Sequence, residues 1–521
     1  MVRAGRSLRR RLRRFFKTVN LTVFGISTAL VVAFAAFGTL FRELATDVFE
    51  RLYELITVYF GWYYLLTVTF LLVFAIWLML GRHGRIRLGR QDELPEFGFL
   101  SWFAMLFSAG MGIGLIFWSI AEPITYFQEP PRGVPGTVAA AETAMLFTFF
   151  HWGLHAWAVY TVLALTLSYF AHRHRMPFTI RSIFYPMLGD RIYGPIGHVI
   201  DILAVFATLF GLATSLGLGV MQLNTGLHLL FGLPFSVMSQ VLLIAGITLI
   251  AVISVVSGLN RGLKWLSLFN IALVTLFMVF LFVAGPTLFL LRFFFDTTGR
   301  YLQQLVELSL WNDALGGAEF QQQWTIFYWA WWIAWSPFVS IFIARVSRGR
   351  TIRQFVAGTL LLPTLFVFVW LTLFGGTALY LELGLELESD GAGGGIAAAV
   401  AEDPTLALYL TLEQLPWATL SSIIASILIV TYFITSSDSA THVVDALLTR
   451  GSKRSPTRQR VIWGVTEGLI AAVLLVAGGA AALEALQTAS LATGLPFSVI
   501  LLLICLNLHK ALEREAPVPR T

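Results

Sequence analysis

Residues 324–353 read WTIFYWAWWIAWSPFVSIFIARVSRGRTIR, with five tryptophans in the first twelve positions and a basic run at the end. At about 100° per residue, Trp324, Tyr328, Trp331, Trp332 and Trp335 share one face of a helix, and Trp329 falls off it. The stripe rises about 16 Å, half of a hydrocarbon core of about 30 Å, so it enters the membrane interior and does not stop at an interfacial aromatic belt. Apolar around its circumference and closed by Arg345, Arg348, Arg350 and Arg353, the segment reads as a membrane-spanning helix whose basic end lies at the cytoplasmic surface. Aromatic faces at such depth are what hold a desolvated organic cation.

The rest of the chain repeats the apolar pattern. Only 12% of the 521 residues are charged and 57% are apolar, with a mean hydropathy of +0.78, where a soluble domain carries about 25% charged residues. The fold class is therefore an all-α polytopic membrane protein. Apolar runs of spanning length occur at 20–41, 57–80, 98–121, 141–171, 193–229, 233–257, 265–292, 321–344, 354–382, 407–449, 460–482 and 484–508, which predicts 12 transmembrane helices. Charge tests that division independently. With the N-terminus inside, 30 of the 35 Lys and Arg fall on the cytoplasmic side, and both termini are expected there.

Several segments follow from this frame. Residues 1–19 form a basic cytoplasmic N-terminus without a signal-peptide cleavage site, expected to contact anionic lipids of the bilayer and no nucleic acid. Residues 20–97 hold two transmembrane helices and a cytoplasmic loop, 293–320 an extracytoplasmic connection, and 509–521 a short cytoplasmic tail. Within the connection, GRYLQQLVELSLW is amphipathic and is expected to dock on the protein in preference to the lipid interface. The single Cys505, in an apolar run, excludes an internal disulfide framework.

Three runs carry candidate chemistry. Ser108–Gly114, SAGMGIG, puts glycines at 110, 112 and 114 in the third run, either to break the helix and free carbonyls for a cation or substrate, or to let another helix approach closely. In the fourth run, HWGLHAWAVY places Trp152, Trp157 and Tyr160 near mid-membrane, although a straight helix spreads them over roughly 140°, so that they face one site only if the helix passes beside it. His151 and His155, four apart, have the spacing of metal ligands or a proton relay. No third ligand stands at a familiar spacing, so hydrogen-bonded packing is preferred. The tenth run holds Thr435-Ser-Ser-Asp-Ser439, hydroxyls suited either to a small hard cation or to back-bonding within the helix. Asp438 is a functional candidate by its depth, with a helix-end salt bridge as its alternative.

Together GMGIGLIFWSIAEP, HWGLHAWAVY and WAWWIAWSPFVSIFIARVSRGRTIR closely resemble the betaine/choline/carnitine transporter family, and the likeness extends from about residue 95 to 450. The resemblance implies the leucine-transporter-like fold, with two inverted five-helix repeats, helices 3–7 over 98–292 and helices 8–12 over 321–508, and the two N-terminal helices outside them. It implies a trimethylammonium cage of Trp152, Trp157, Tyr160 and Trp332, with Trp335 near the substrate carboxylate and Gly112 and Gly114 contributing to the substrate site. One Na⁺ site would map to Ser108, Met111, Tyr432, Thr435 and Ser436, and a second to Thr208 and Phe338, where Leu212 supplies no oxygen. Gly114 stands where choline-moving relatives look to have an aspartate, which favours a zwitterion.

The implied function is Na⁺-coupled import of a small zwitterion, glycine betaine before others, by alternating access in a bacterial plasma (inner) membrane, serving osmoprotection. A homotrimer is implied, and no cofactor beyond the coupling ion. Alternatives within the class are an ectoine or proline symporter and a sodium-independent carnitine/butyrobetaine exchanger. A membrane enzyme or a channel would need convergent acids, bases or metal ligands, or a symmetric pore ring, and neither pattern is present in the sequence.

Overall fold

A bilayer core offers no water to peptide groups, so each apolar run closes its hydrogen bonds on itself as a helix. The computed structural model describes residues 19–110, 112–257, 260–316, 318–388, 395–449 and 457–515, and among them eleven helices are long and apolar enough to cross a membrane. In chain order the helices used below are α1 (Leu21–Leu40), α2 (Arg42–Leu80), α3 (Phe99–Gly110), α4 (Ile113–Gln128), α5 (Val138–Trp152), α6 (Leu154–Ser168), α7 (Pro195–Phe231), α8 (Val237–Ser257), α9 (Asn260–Ala284), α10 (Thr287–Leu310), α11 (Ile326–Val346), α12 (Ile352–Leu371), α13 (Thr377–Glu388), α14 (Ile396–Glu402), α15 (Ala407–Glu413), α16 (Ala418–Leu448), α17 (Thr457–Gly478) and α18 (Ala482–Glu513).

The count of eleven and the twelve apolar runs differ for one reason. The third run is divided at the glycines into α3, 12 residues, and α4, 16 residues, with Gly112 extended between them. Neither piece reaches the roughly 20 residues that a single helix needs to span. Of the two readings of SAGMGIG, the broken helix is the one observed.

Other boundaries move as well. The stretch between the first two apolar runs, 42–56, is helical and belongs to α2, which runs for 39 residues. The tenth run is interrupted by Trp417, whose φ of 58° lies in the left-handed region, so only α16 spans. The amphipathic segment of the outer connection starts earlier than 293, as α10, and it docks. Leu290, Phe293, Thr297, Tyr301 and Leu308, spaced at helical intervals, are buried along one face.

Burial sorts the spans into layers. In α11, and in the span formed by α5 and α6, 94% of the membrane-spanning window is buried in protein, against 22% in α1 and 28% in α9. The aromatic helix quoted at the outset is thus the axis of the bundle, and α6, α7 and α18 pack around it. Small residues permit the close approaches. A Cβ on Gly494 would stand 2.8 Å from the Ala330 carbonyl oxygen, so α18 and α11 meet backbone to backbone there.

At the arginine-rich end of the bundle, the loop after α2 is stitched to the loop after α11 by backbone bonds, Gly349 N to Leu88 O at 2.7 Å and Ile352 N to Ile86 O at 2.9 Å. Arg173, just beyond α6, joins the loop after α2 to the end of α18. It donates to Glu515 at 2.6 and 2.7 Å and to Gly89 O at 3.0 Å. These bonds to Arg173 hold the Glu515 carboxyl below the usual carboxylate range. The basic run 1–18, Met111 and the residues after Glu515 lie outside the described residues, as does the side chain of Ser108.

Candidate functional site

Two segments bring aromatic rings to the middle of the bundle, the junction of α5 with α6 and the first turns of α11. Trp152 ends α5, whereas Trp157 and Tyr160 stand on the first turns of α6, beyond a break at Gly153. A Cβ on Gly153 would lie 2.5 Å from the Phe149 carbonyl oxygen and 2.8 Å from the Tyr301 hydroxyl, so nothing larger fits. The Tyr301 hydroxyl, on α10, accepts the Leu154 amide at 3.1 Å and caps the restarted helix. The rings that a straight helix would splay apart instead converge on Trp332. Its ring centre lies 5.1 Å from Tyr160, 5.4 Å from Trp152 and 6.1 Å from Trp157.

The floor comes from the broken third run. Gly112, Gly114, Leu115, Trp152, Tyr160, Trp331, Trp332 and Trp335 line one cavity. A Cβ on Gly114 would collide with the Trp331 ring, and one on Gly112 would stand 3.6 Å from the Trp335 ring and 3.4 Å from Ser436 Oγ. The space they enclose, about 20 Å³, admits about one water, so a larger ligand requires the rings to swing apart. A larger cavity of about 500 Å³ opens at the end of the bundle opposite the arginine-rich loops, between Glu50, Tyr53, Glu319 and Glu484. None of the convergent rings lines it.

Which rings can swing is set by their N–H groups. Trp335 Nε1 donates to Gly211 O at 2.7 Å, Trp331 Nε1 to the same carbonyl at 3.3 Å, and Trp152 Nε1 to Glu122 Oε2 at 2.8 Å. Among the described residues, the indole nitrogens of Trp332 and Trp157 find no partner and are buried. Trp332 is therefore held by packing alone, and its ring turns without breaking a hydrogen bond.

Of the expected cage, Trp152, Tyr160 and Trp332 line the cavity and Trp157 backs it, packed against Tyr160 and Trp332. Trp335 closes one end, and Trp331, absent from the expected set, covers Gly114. Trp324 packs edge-on to Trp118 and Tyr126, away from the cavity. His151 and His155 bond to different elements and not to each other. His151 Nδ1 meets Glu122 Oε1 at 2.8 Å and its Nε2 meets Thr325 Oγ1 at 3.0 Å, while His155 Nε2 meets Ser309 Oγ on α10 at 2.9 Å.

The expected ion ligands are partly assembled. Ser436 faces the break at Gly112, so the third and tenth runs do meet there, and Tyr432 is buried one turn earlier on α16. The Thr435 hydroxyl donates to Thr431 O at 3.0 Å and Tyr432 O at 3.2 Å, the back-bonded alternative. Thr208 likewise donates to Ala204 O at 2.8 Å, and Phe338 packs edge-on to Trp335 at 5.4 Å. Asp438 accepts from Ser254 at 2.6 Å and has no salt-bridge partner among the described residues.

Glu122 and Glu467 are among the buried carboxylates that escaped the sequence reading. Glu122, in α4, accepts from Trp152 and Tyr328 and contacts His151. Glu467, in α17, accepts from Ser437 at 2.7 Å and Thr441 at 3.1 Å. Glu122 is the one charged residue of an otherwise apolar helix, and an ionisable group at membrane depth is by itself a functional signal.

Comparison with known proteins agrees with this architecture. The family described as BCCT, betaine/carnitine/choline family transporter, matches residues 22–517. A probable glycine betaine transporter of Desulfitobacterium hafniense is 46% identical over 498 residues, 95% of this chain and 98% of the relative. The glycine betaine transporter OpuD of Bacillus subtilis is 44% identical, over 95% and 94% of the two chains. The high-affinity choline transport protein of Escherichia coli K12 is 41% identical, over 95% of this chain and 72% of the relative.

Proposed function

Because the chain belongs to the betaine/carnitine/choline family of transporters, and so is a membrane transporter and not an enzyme, we propose that it imports glycine betaine together with Na⁺ by alternating access, as a trimer in a bacterial inner membrane and in the service of osmoprotection. The observation that carries this reading is the convergence of Trp152, Tyr160 and Trp332, backed by Trp157, beside the broken third span. A quaternary ammonium has no N–H to donate, so π-faces are its available partners, each worth about 0.5–2 kcal/mol. The extended backbone at Gly112 supplies polar groups next to those faces for the other half of a zwitterion.

Two further features support the finer assignment. Gly114 lies directly under the Trp331 ring, which leaves no room for the acidic side chain that a net cation would call for. Ser436 beside Gly112 supports an oxygen-lined Na⁺ site at the junction of the third and tenth runs, completed by Ser108, Met111, Tyr432 and Thr435 once the Thr435 hydroxyl gives up its helix bonds. Thr208 and Phe338 would hold a second ion only with a ligand in place of Leu212, so one Na⁺ is the simplest stoichiometry. In this reading α3 to α9 and α11 to α18 are the two inverted repeats, and one rocks against the other around the cage.

The test is uptake into proteoliposomes of radiolabelled betaine, choline, carnitine, ectoine and proline, with Na⁺ or K⁺ outside at a fixed proton gradient. Betaine uptake that collapses in K⁺ is expected. Uptake of choline in preference, or uptake that persists without Na⁺, would replace the substrate or the coupling assigned above.

A further inference from the structure

We infer that Glu122 is the positioning residue of the cage, holding the Trp152 ring at the angle at which its face meets the ligand. Its carboxylate is fully buried and joins three helices. Oε2 on α4 accepts from Trp152 Nε1 of α5 at 2.8 Å and from the Tyr328 hydroxyl of α11 at 2.6 Å, while Oε1 meets His151 Nδ1 at 2.8 Å. His151 is held in turn by Thr325 Oγ1 at 3.0 Å and the Tyr126 hydroxyl at 3.2 Å, and it stacks on Tyr328 at 4.7 Å. Every oxygen of the carboxylate is thus bonded, which is what makes a carboxylate tolerable at this depth.

Trp152 needs such a tether. It is the last residue of α5, where the chain breaks at Gly153 before α6 restarts at Leu154. Its ring meets Trp332 at 82° and Trp331 at 86°, edge-to-face contacts that leave its rotation about the side-chain bonds without a hydrogen bond to fix it. The bond from Nε1 to Glu122 removes that freedom. The same oxygen also fixes Tyr328, so the cage wall and the aromatic layer beside it are set by one group. Charge-assisted bonds are roughly twice as strong as neutral ones, so a neutral isostere is expected to hold the ring more loosely.

The geometry makes a signed prediction, because Trp152 and Tyr328 compete for one oxygen. In Glu122→Gln the Trp152 N–H faces a weaker acceptor. In Tyr328→Phe it has Oε2 to itself. The indole N–H band in ultraviolet resonance Raman spectra, taken as each protein minus its Trp152→Phe counterpart, should shift toward weaker hydrogen bonding in the first variant and toward stronger bonding in the second. This readout uses the ligand-free transporter, so it stands apart from the substrate assignment above, on which only the transport readout rests.

In transport, Glu122→Gln should raise KM about tenfold for whichever of the five solutes the wild type takes up, with the maximal rate per folded transporter within about twofold. Adding Trp152→Phe to Glu122→Gln should cost less than twofold beyond Trp152→Phe alone, since both act through one bond. An unshifted band in both variants, or fully additive KM changes, would overturn the assignment. Should Glu122→Gln fail to fold, the direction of the band shift in Tyr328→Phe decides alone.

Discussion

Replacing Trp332 with alanine removes the ring that Trp152, Trp157 and Tyr160 all face, and its effect can be worked out because the ring makes no hydrogen bond. Its Nε1 has no partner among the described residues, so no acceptor there is orphaned by the change. What is lost is one π-face, about 0.5–2 kcal/mol for a desolvated cation, which is about a two- to thirtyfold rise in Kd for a trimethylammonium ligand. Burial adds a separate cost, since truncating a buried aromatic to alanine destabilises a fold by about 3–5 kcal/mol. A series separates the two. Trp332→Leu refills part of the volume without a π-face and should lose affinity as alanine does, while Trp332→Phe keeps a face and should lose less. The assay is equilibrium binding of betaine and of its tert-butyl analogue, in which carbon replaces the charged nitrogen, to purified transporter. Betaine should lose affinity in the alanine and leucine variants, and the analogue, whose tert-butyl group carries no charge, should change little. Equal losses for the two ligands would refute the cation–π account and leave Trp332 as a packing residue.

Three other outcomes follow from particular contacts. Gly114→Ala places a Cβ against the Trp331 ring, and because that ring is tied to Gly211 O, transport should fall by at least about tenfold while trafficking to the membrane stays normal. Tyr301→Phe removes the acceptor for the Leu154 amide at the break in the fourth span and should lower stability by about 1–3 kcal/mol, seen as a lower melting temperature in detergent; an unchanged melting temperature would mean that the break is capped by other means. Glu515, held below the usual carboxylate range by Arg173, contributes stability above its unfolded pKa and loses that contribution as pH falls toward its folded one. The melting temperatures of wild type and Glu515→Gln should therefore differ most near neutrality and converge on acidification below the normal carboxylate range. A gap that stays constant with pH would remove the Arg173 bond as its cause.

Much of this transporter is legible in one dimension because a bilayer imposes a length. Runs such as 20–41 and 460–482 have to be helices, since their amides have no other partner, and the arginines that follow alternate runs mark one face of the membrane. The cage residues were legible by type, as rings at a depth where belt residues do not lie. The break at Gly112 was legible only as a choice between two uses of glycine, and packing made the choice.

Which rings meet is another matter. Periodicity assumes a continuous helix, and on that assumption Trp152, Trp157 and Tyr160 diverge. The turn of the chain at Gly153, fixed by a hydroxyl from α10 more than a hundred residues away, makes them converge. Glu122 looked like part of an apolar helix because its three partners come from α5 and α11, and no spacing within α4 records them. The sequence by itself therefore determined the helices and the aromatic chemistry of the stripe from Trp324 to Trp335, because those follow from local hydrogen bonding and hydrophobic length. The tertiary structure alone decided that Trp331 and Trp332 line one cavity, that Trp324 does not, and that the buried Glu122 carboxylate bonds both Trp152 and Tyr328, because contacts between separate helices are set by where each one breaks and what it packs against.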